Sequence, residues 1–350
     1  MARAAAPRCQ DRAWGAESGG HPETGRGPVP YDSNMREDSA IALAVKSPAA
    51  ADLGVAIDWL FVGDAVRVTR YRCLARAPGV GAEHRQPAHV IAFPYQGVFE
   101  VHRGRDRAVA EPGSMVFFNE GEPYRTGHPC GCGDDGSAVA IRPDILVEAL
   151  SRHDPGVVDR PGAPFRFVSG ASSARAYLLQ RLLFLRLTHA GAADPLGVEE
   201  AALARVDEVS AAACRAEEGP AARRPLSANH RQTVDSARRF LATRLGEPVS
   251  LETISGAVGV SPFHLCRVFR AITGTTVSRY RHRLRLRAAL GRVAQAEADL
   301  SAVALDHGYS SHSHFTAAFR REFGLTPTQF RRAAGRSGRS VAKFFSRART

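Results

Sequence analysis

The sequence predicts an α+β chain, with a unit of short strands first and an all-α unit carrying two helix-turn-helix elements last. Three observations lead there. Between about 55 and 142, short apolar runs are broken by Gly and Pro. From Ala174 the apolar spacing turns helical. In the last third one helical module occurs twice, as VGVSPFHLCRVFRAITG and as HGYSSHSHFTAAFRREFGLTP.

Taken in order, residues 1–50 are rich in Ala, Gly, Pro, Arg and Ser without any period, and are expected to be disordered. Structure is expected from about Leu53. Val66 and Val68 alternate with charge, and Val90, Ile91 and Phe93 form a short apolar run. Val98, Phe99 and Val101 follow Gly97; Met115 to Phe118 follow Pro112-Gly113; Val139 and Ile141 close the set before Pro143. Strands of this length between such turns read as an all-β sandwich or barrel. The segment Ala174 to Leu187 then places Leu178, Leu182 and Leu185 at helical spacing, with Leu179, Leu183 and Leu187 beside them. A second helix is expected from about Val198 to Cys214. A stripe this wide fits either a buried core helix or a helical dimer interface. This first unit is set at 53–215, and the stretch 216–228, containing EEGPAARRP, reads as a linker.

Charge separates the two parts. Residues 231–350 hold 21 Lys and Arg against 7 Asp and Glu, a net of +14, whereas residues 1–230 hold 26 against 28. A basic unit joined to a near-neutral one points to a polyanion partner for the former. Six scattered cysteines in 350 residues are no disulfide framework. No apolar run reaches membrane-spanning length, and the first thirty residues lack the apolar stretch of a secretory signal, so a cytoplasmic protein without membrane contact is expected.

Within the basic unit, a first helix is expected over about Asn229 to Arg244, stopped by Gly246 and Pro248. The next starts near Ser250 and ends at Gly259, which can adopt a left-handed turn at little cost. Ser261 can cap the following helix, and Pro262 suits its first position. Leu265, Val268, Phe269 and Ile272 form the inward stripe, leaving Phe263, His264, Cys266, Arg267 and Arg270 outward. An outward face near a helix N-terminus is what enters a major groove. The second copy repeats the plan: Gly308 turns, Ser311 caps, and Phe315, Phe319 and Phe323 face inward. His312, Ser313, Thr316 and Ala317 are its base-facing candidates, with Arg320 and Arg321 set for phosphate. Between the copies, RYRHRLRLRAAL carries Arg279, Arg281, Arg283, Arg285 and Arg287, too many to bury together. Some of them, Arg279 and Arg283 foremost, are expected on phosphates together with Arg270. From Arg331 to the end seven basic residues meet no acid, and 334–350 reads as a basic tail adding non-specific DNA affinity.

RLRLRAAL, the helix around Ala302–Leu305, GYSS, SHFTAAFRREFG and LTPTQFR follow one another in the order and spacing of a known domain. Residues 229–333 resemble the DNA-binding domain of the AraC family of bacterial transcription regulators. The resemblance implies seven helices, one long helix joining two helix-turn-helix units, and two recognition helices in successive major-groove segments about one turn (~34 Å) apart. It implies base-reading places at Phe263, Cys266 and Arg267, and at His312, Ser313 and Ala317. Arg267 suits bidentate recognition of guanine. Cys266 is a poor hydrogen-bonder, and Ala317 replaces a longer polar residue of other members, leaving only a methyl contact.

PGSMVFFNEGEPYRTGHP resembles the cupin-like β-barrel found in many such regulators, where it senses a small molecule or mediates dimerisation. A cupin-like barrel with dimerisation helices is therefore expected, along with a small-molecule effector, promoter DNA, a homodimer, and RNA polymerase as a partner of an activator. The alternative is a metal-dependent cupin enzyme with an accessory DNA-binding domain. A catalytic cupin needs converging His and carboxylate ligands. Here His84 and His89 form no His-x-His pair, and Tyr124 stands where the resemblance would place a histidine. His128, Cys130 and Cys132 in HPCGCG offer three soft ligands without a fourth, and a structural turn is the preferred reading. No catalytic residue, cofactor or metal is therefore expected.

Overall fold

The computed structural model describes residues 55–75, 77–131, 133–190, 194–218 and 227–335. The expected disordered segment 1–50, most of the linker and nearly all of the basic tail lie outside the described residues, as does Cys132.

Nine strands come first: β1 Val55–Val62, β2 Val66–Cys73, β3 Gly79–Arg85, β4 His89–Gly97, β5 Phe99–Arg103, β6 Asp106–Ala110, β7 Ser114–Phe118, β8 Pro123–His128 and β9 Asp134–Ile141. Helix α1 (Pro143–Ser151) and the short β10 (Ser169–Ala171) follow. The strands make two antiparallel sheets, one ordered β1-β2-β9-β4-β7-β10 and the other β3-β8-β5-β6. The closed barrel implied by the cupin resemblance is not formed; the arrangement is an open pair of facing sheets. The chain changes sheet between β6 and β7, where Pro112 has no N–H to extend a ladder and Gly113 adopts φ +101°. Among the described residues, the strand pairings stay within each sheet, and isolated bridges outside the strands join Gln86 to Glu120 and Pro112 to Ser114.

Buried His89 is a structural residue of this unit. The N–H of Glu120 donates to its Nδ1 at 3.0 Å, and its ring meets Phe165 edge-on.

Helices α2 (Ala174–Ala190) and α3 (Pro195–Glu218) complete the first unit. Every residue of α2 from Ala176 to Leu187 is buried. One apolar cluster runs from Phe93 and Phe117 in the sheet through Leu178, Leu182 and Leu183 to Leu286, Leu290, Phe315 and Phe319 of the helical unit. The wide stripe of α2 is thus covered within its own chain, and α2 has no free face for a dimer. Inside this layer the Arg181 guanidinium lies 4.1 Å from the Tyr95 ring centre and 4.9 Å from that of Phe184.

The helical unit comprises α4 Ala228–Ala242, α5 Leu251–Ala257, α6 Pro262–Thr273, α7 Val277–Ala294, α8 Leu300–Asp306, α9 His312–Phe323 and α10 Pro327–Gly335. It is fixed to the sheets by buried polar contacts. Arg238 of α4 donates to Glu111 Oε1 at 2.7 Å and to the Val109 carbonyl at 2.8 Å. The Tyr280 hydroxyl donates to the same carboxylate, and Arg239 pairs with Glu100. Arg287 donates to the carbonyls of Gly113 (3.2 Å) and Ser172 (2.9 Å). Arg186 of α2 donates to the Ala333 carbonyl on α10 at 3.1 Å.

Two outcomes follow for stability. Glu111→Gln removes the nearer of two carboxylates around the half-buried Arg238 guanidinium, leaving Asp235 at 3.2 Å, and chemical denaturation should show a loss of about 1.5–3 kcal/mol; a loss below ~1 kcal/mol, the range of exposed pairs, would contradict this account. His89 gives a pH dependence. Burial pushes its imidazole below the ordinary value of 6.5. The unfolded chain therefore binds the proton more readily, so this contribution is complete above about pH 6.5 and is lost as pH falls below it. His89→Asn keeps an acceptor that does not titrate, and its stability should drop less than wild type between about pH 7 and 5. Parallel declines in the two proteins would refute the assignment.

Candidate nucleic-acid interface and sheet cavity

Two exposed helix faces are built by the same local devices. Ser261 caps α6, its Oγ accepting the His264 N–H at 3.2 Å, and Pro262 occupies the first turn. Ser311 caps α9, its Oγ accepting the His314 N–H at 3.1 Å. These bonds satisfy amide groups that a helix start otherwise leaves open. Gly259 (φ +72°) and Gly308 (φ +74°) turn the chain before each cap. A Cβ on Gly308 would also collide with the Arg285 guanidinium.

On α6, Leu265, Val268 and Phe269 are buried, while Phe263, Cys266, Arg267 and Arg270 are exposed, Phe263 to 80%. On α9, Phe315, Phe319 and Phe323 are buried, and His312, Ser313, Ala317, Arg320 and Arg321 are exposed. Thr316 is half-buried, with its Oγ1 3.4 Å from His312 Nε2. On α6, Phe263 is thus exposed on the same side of the helix as the open arginines.

The arginine-rich α7 divides differently from its sequence appearance. Arg279 is exposed. Arg281 donates to the carbonyls of Glu247 and Val249. Arg285 is buried and donates to Leu245, Glu247 and Gly308 carbonyls. Arg287 is turned into the sheet unit, and Arg283 lies 3.6 Å from Glu322. Three of the five guanidiniums in the run therefore satisfy carbonyls of their own chain, because α7 is the central helix and much of its surface is interior.

Between the facing sheets lies a cavity of about 250 Å³. Its wall is mostly apolar, with Ile57, Trp59, Tyr71, Phe99, Phe118 and Tyr124 among the lining residues. Gln86 Nε2 donates to the Tyr124 hydroxyl at 2.7 Å, and burial pushes that phenol up to about 12. At one end stand Cys73, His128 and Asp134, whose donor atoms all fall within 4.8 Å of one another. His128 Nε2 is 2.8 Å from Asp134 Oδ2. That bond, reinforced by one to Cys73, pushes the imidazole up to about 10. Cys130 is disulfide-bonded, so it offers no thiolate beside His128. Sequence reasoning grouped His128 with its neighbours in HPCGCG and missed Cys73 and Asp134. Cys73 is brought there only by the pairing of β2 with β9, in which Cys73 and Asp134 stand opposite.

A profile of a helix-turn-helix domain family matches residues 254–333. Regulatory protein SoxS of Salmonella typhimurium is 29% identical over 103 residues, covering 29% of this chain and 96% of SoxS. The probable transcription factor PqrA of Proteus vulgaris is 32% identical over 100 residues, covering 28% of this chain and 82% of PqrA. A solved transcriptional regulator from Chromobacterium violaceum, described as containing an AraC-type DNA-binding domain, is 30% identical and covers 32% of this chain and 100% of that one, with a TM-score of 0.30.

Tandem helix-turn-helix units with open recognition faces, matched along nearly the full length of such regulators, define a DNA-binding transcription regulator. The chain belongs to the AraC family. Among the described residues, no helix is long and apolar enough to cross a membrane.

The caps are testable by themselves. Ser261→Ala and Ser311→Ala should each lower stability by about 1 kcal/mol in urea unfolding, with little change for the Gly replacements. Equal losses for Ala and Gly would mean that the serines act otherwise than as caps.

Proposed function

We propose that the chain binds promoter DNA sequence-specifically through the outer faces of α6 and α9. Phe263, Cys266 and Arg267 meet bases from the first helix; His312, Ser313, Thr316 and Ala317 do so from the second. Arg270, Arg279, Arg320 and Arg321 hold phosphates, and Arg283 contributes less because Glu322 already neutralises part of its charge. The observation that carries this reading is the pair of exposed, similarly capped helices whose apolar sides are buried and whose arginines remain open.

On the same reading, residues 53–215 form the sensing and dimerisation domain, 216–228 the linker, 229–333 the DNA-binding domain and 334–350 a basic arm. The cavity takes a small-molecule effector. Its apolar wall with a few polar groups is the usual composition of such sites. Phe99 lines it, and the next residue, Glu100, pairs with Arg239 on α4, so movement of β5 acts on the helical unit directly. A homodimer would use the outer side of α3, where Leu196 is exposed, since α2 is covered. RNA polymerase is the further partner of an activator seated on a promoter.

The test compares binding to the chain's own upstream region with binding to scrambled DNA. Arg267→Ala should cost about 1–3 kcal/mol on the specific site and almost nothing on scrambled DNA. Arg321→Ala should weaken both and reduce the salt slope by about 1. Equal, salt-sensitive binding to both DNAs, with no selective loss for Arg267→Ala, would refute sequence reading by α6.

A further inference from the structure

We propose that Cys73, His128 and Asp134 form a binding site for a zinc-class divalent cation at one end of the sheet cavity. The site stands whether or not the cavity also takes an organic effector.

The donors are a thiol, an imidazole and a carboxylate, the three ligand types that borderline-soft cations prefer. Cys73 and Asp134 face each other across the β2–β9 ladder, and His128 comes from β8 in the opposite sheet. The three groups are therefore presented by strand ends of two sheets rather than by one loop. Their donor atoms lie within 4.8 Å of one another. A tetrahedral ion with bonds of about 2.0–2.3 Å has ligand separations of roughly 3.5 Å, so modest side-chain rotations close the set on an ion.

The backbone around the site is constrained. Gly133 adopts φ +66°, and a Cβ there would come within 2.4 Å of the Cys73 carbonyl, so the loop before Asp134 is pressed against the end of β2. Cys73 and Asp134 are buried, and all three residues line the cavity. Three protein ligands leave a fourth position, which opens on the cavity for water or a ligand donor. The ion would take the place of the thiol and imidazole hydrogens that now join the three groups, releasing them to solvent.

Cobalt(II) is the probe, added to the reduced full-length chain with Cys266→Ser, which removes the exposed thiol on α6. One equivalent should bind and give an intense near-ultraviolet thiolate-to-cobalt band, displaced by zinc. The band should survive Cys130→Ser and Cys132→Ser and disappear in Cys73→Ser; His128→Gln should weaken cobalt binding at least tenfold. Absence of the band in the Cys266→Ser chain overturns the proposal without reference to the stability of any further variant. Retention of the band in Cys73→Ser, or its loss with Cys130→Ser, overturns it as well. DNA binding measured on the same samples keeps this outcome separate from that of the recognition helices.

Discussion

Arg287 leaves α7, enters the sheet unit and gives its two terminal nitrogens to the carbonyls of Gly113 and Ser172. A guanidinium cannot shed its charge in a protein, so once buried it must find acceptors. Here they lie in the other unit, which makes the relative placement of the two units a condition for satisfying the charge. Gly113 leaves room for this: a Cβ at that position would overlap the guanidinium. Arg238 with Glu111 and Arg186 with Ala333 extend the same principle to α4 and α10. The apolar cluster that continues through α2 fills the space between these anchors.

That constraint also shapes the exposed charge of the helical unit. A run of arginines along α7 looks like a phosphate-binding strip, yet Arg281, Arg285 and Arg287 are engaged by carbonyls of the same chain. On α6 and α9, by contrast, Arg267, Arg270, Arg320 and Arg321 stay exposed, and the helix starts are ordered by serine caps.

Local relations were legible in the sequence. Gly259 and Gly308 take the left-handed turn, Ser261 and Ser311 accept N–H groups three residues on, and the Phe315–Phe319–Phe323 stripe is buried. Each of these is settled within one turn or helix. The strands also follow from short-range alternation, and that alternation left sandwich and barrel open. Closure depends on how edges meet, and the corner at Pro112-Gly113 sends the chain from one sheet to the other. The stripe of α2 showed its width but not what covers it, since Leu286, Phe315 and Phe319 lie more than a hundred residues downstream. The same limit hid the grouping at His128. Its neighbours in HPCGCG drew attention, whereas the thiol that meets it belongs to the end of β2.

The acceptors at the joint between the two units have one more consequence. Val109, Gly113, Ser172 and Ala333 contribute carbonyl oxygens, which every residue type carries. Apart from Gly113, whose missing Cβ is itself required, the contact asks nothing of the side chains at these positions, which are held instead by their burial. The same is not true of the donors. A lysine at position 287 would present one point charge in place of a two-pronged fork. The joint therefore depends on side-chain identity at its arginines and at Glu100 and Glu111, and at the carbonyl partners only on the course of the backbone.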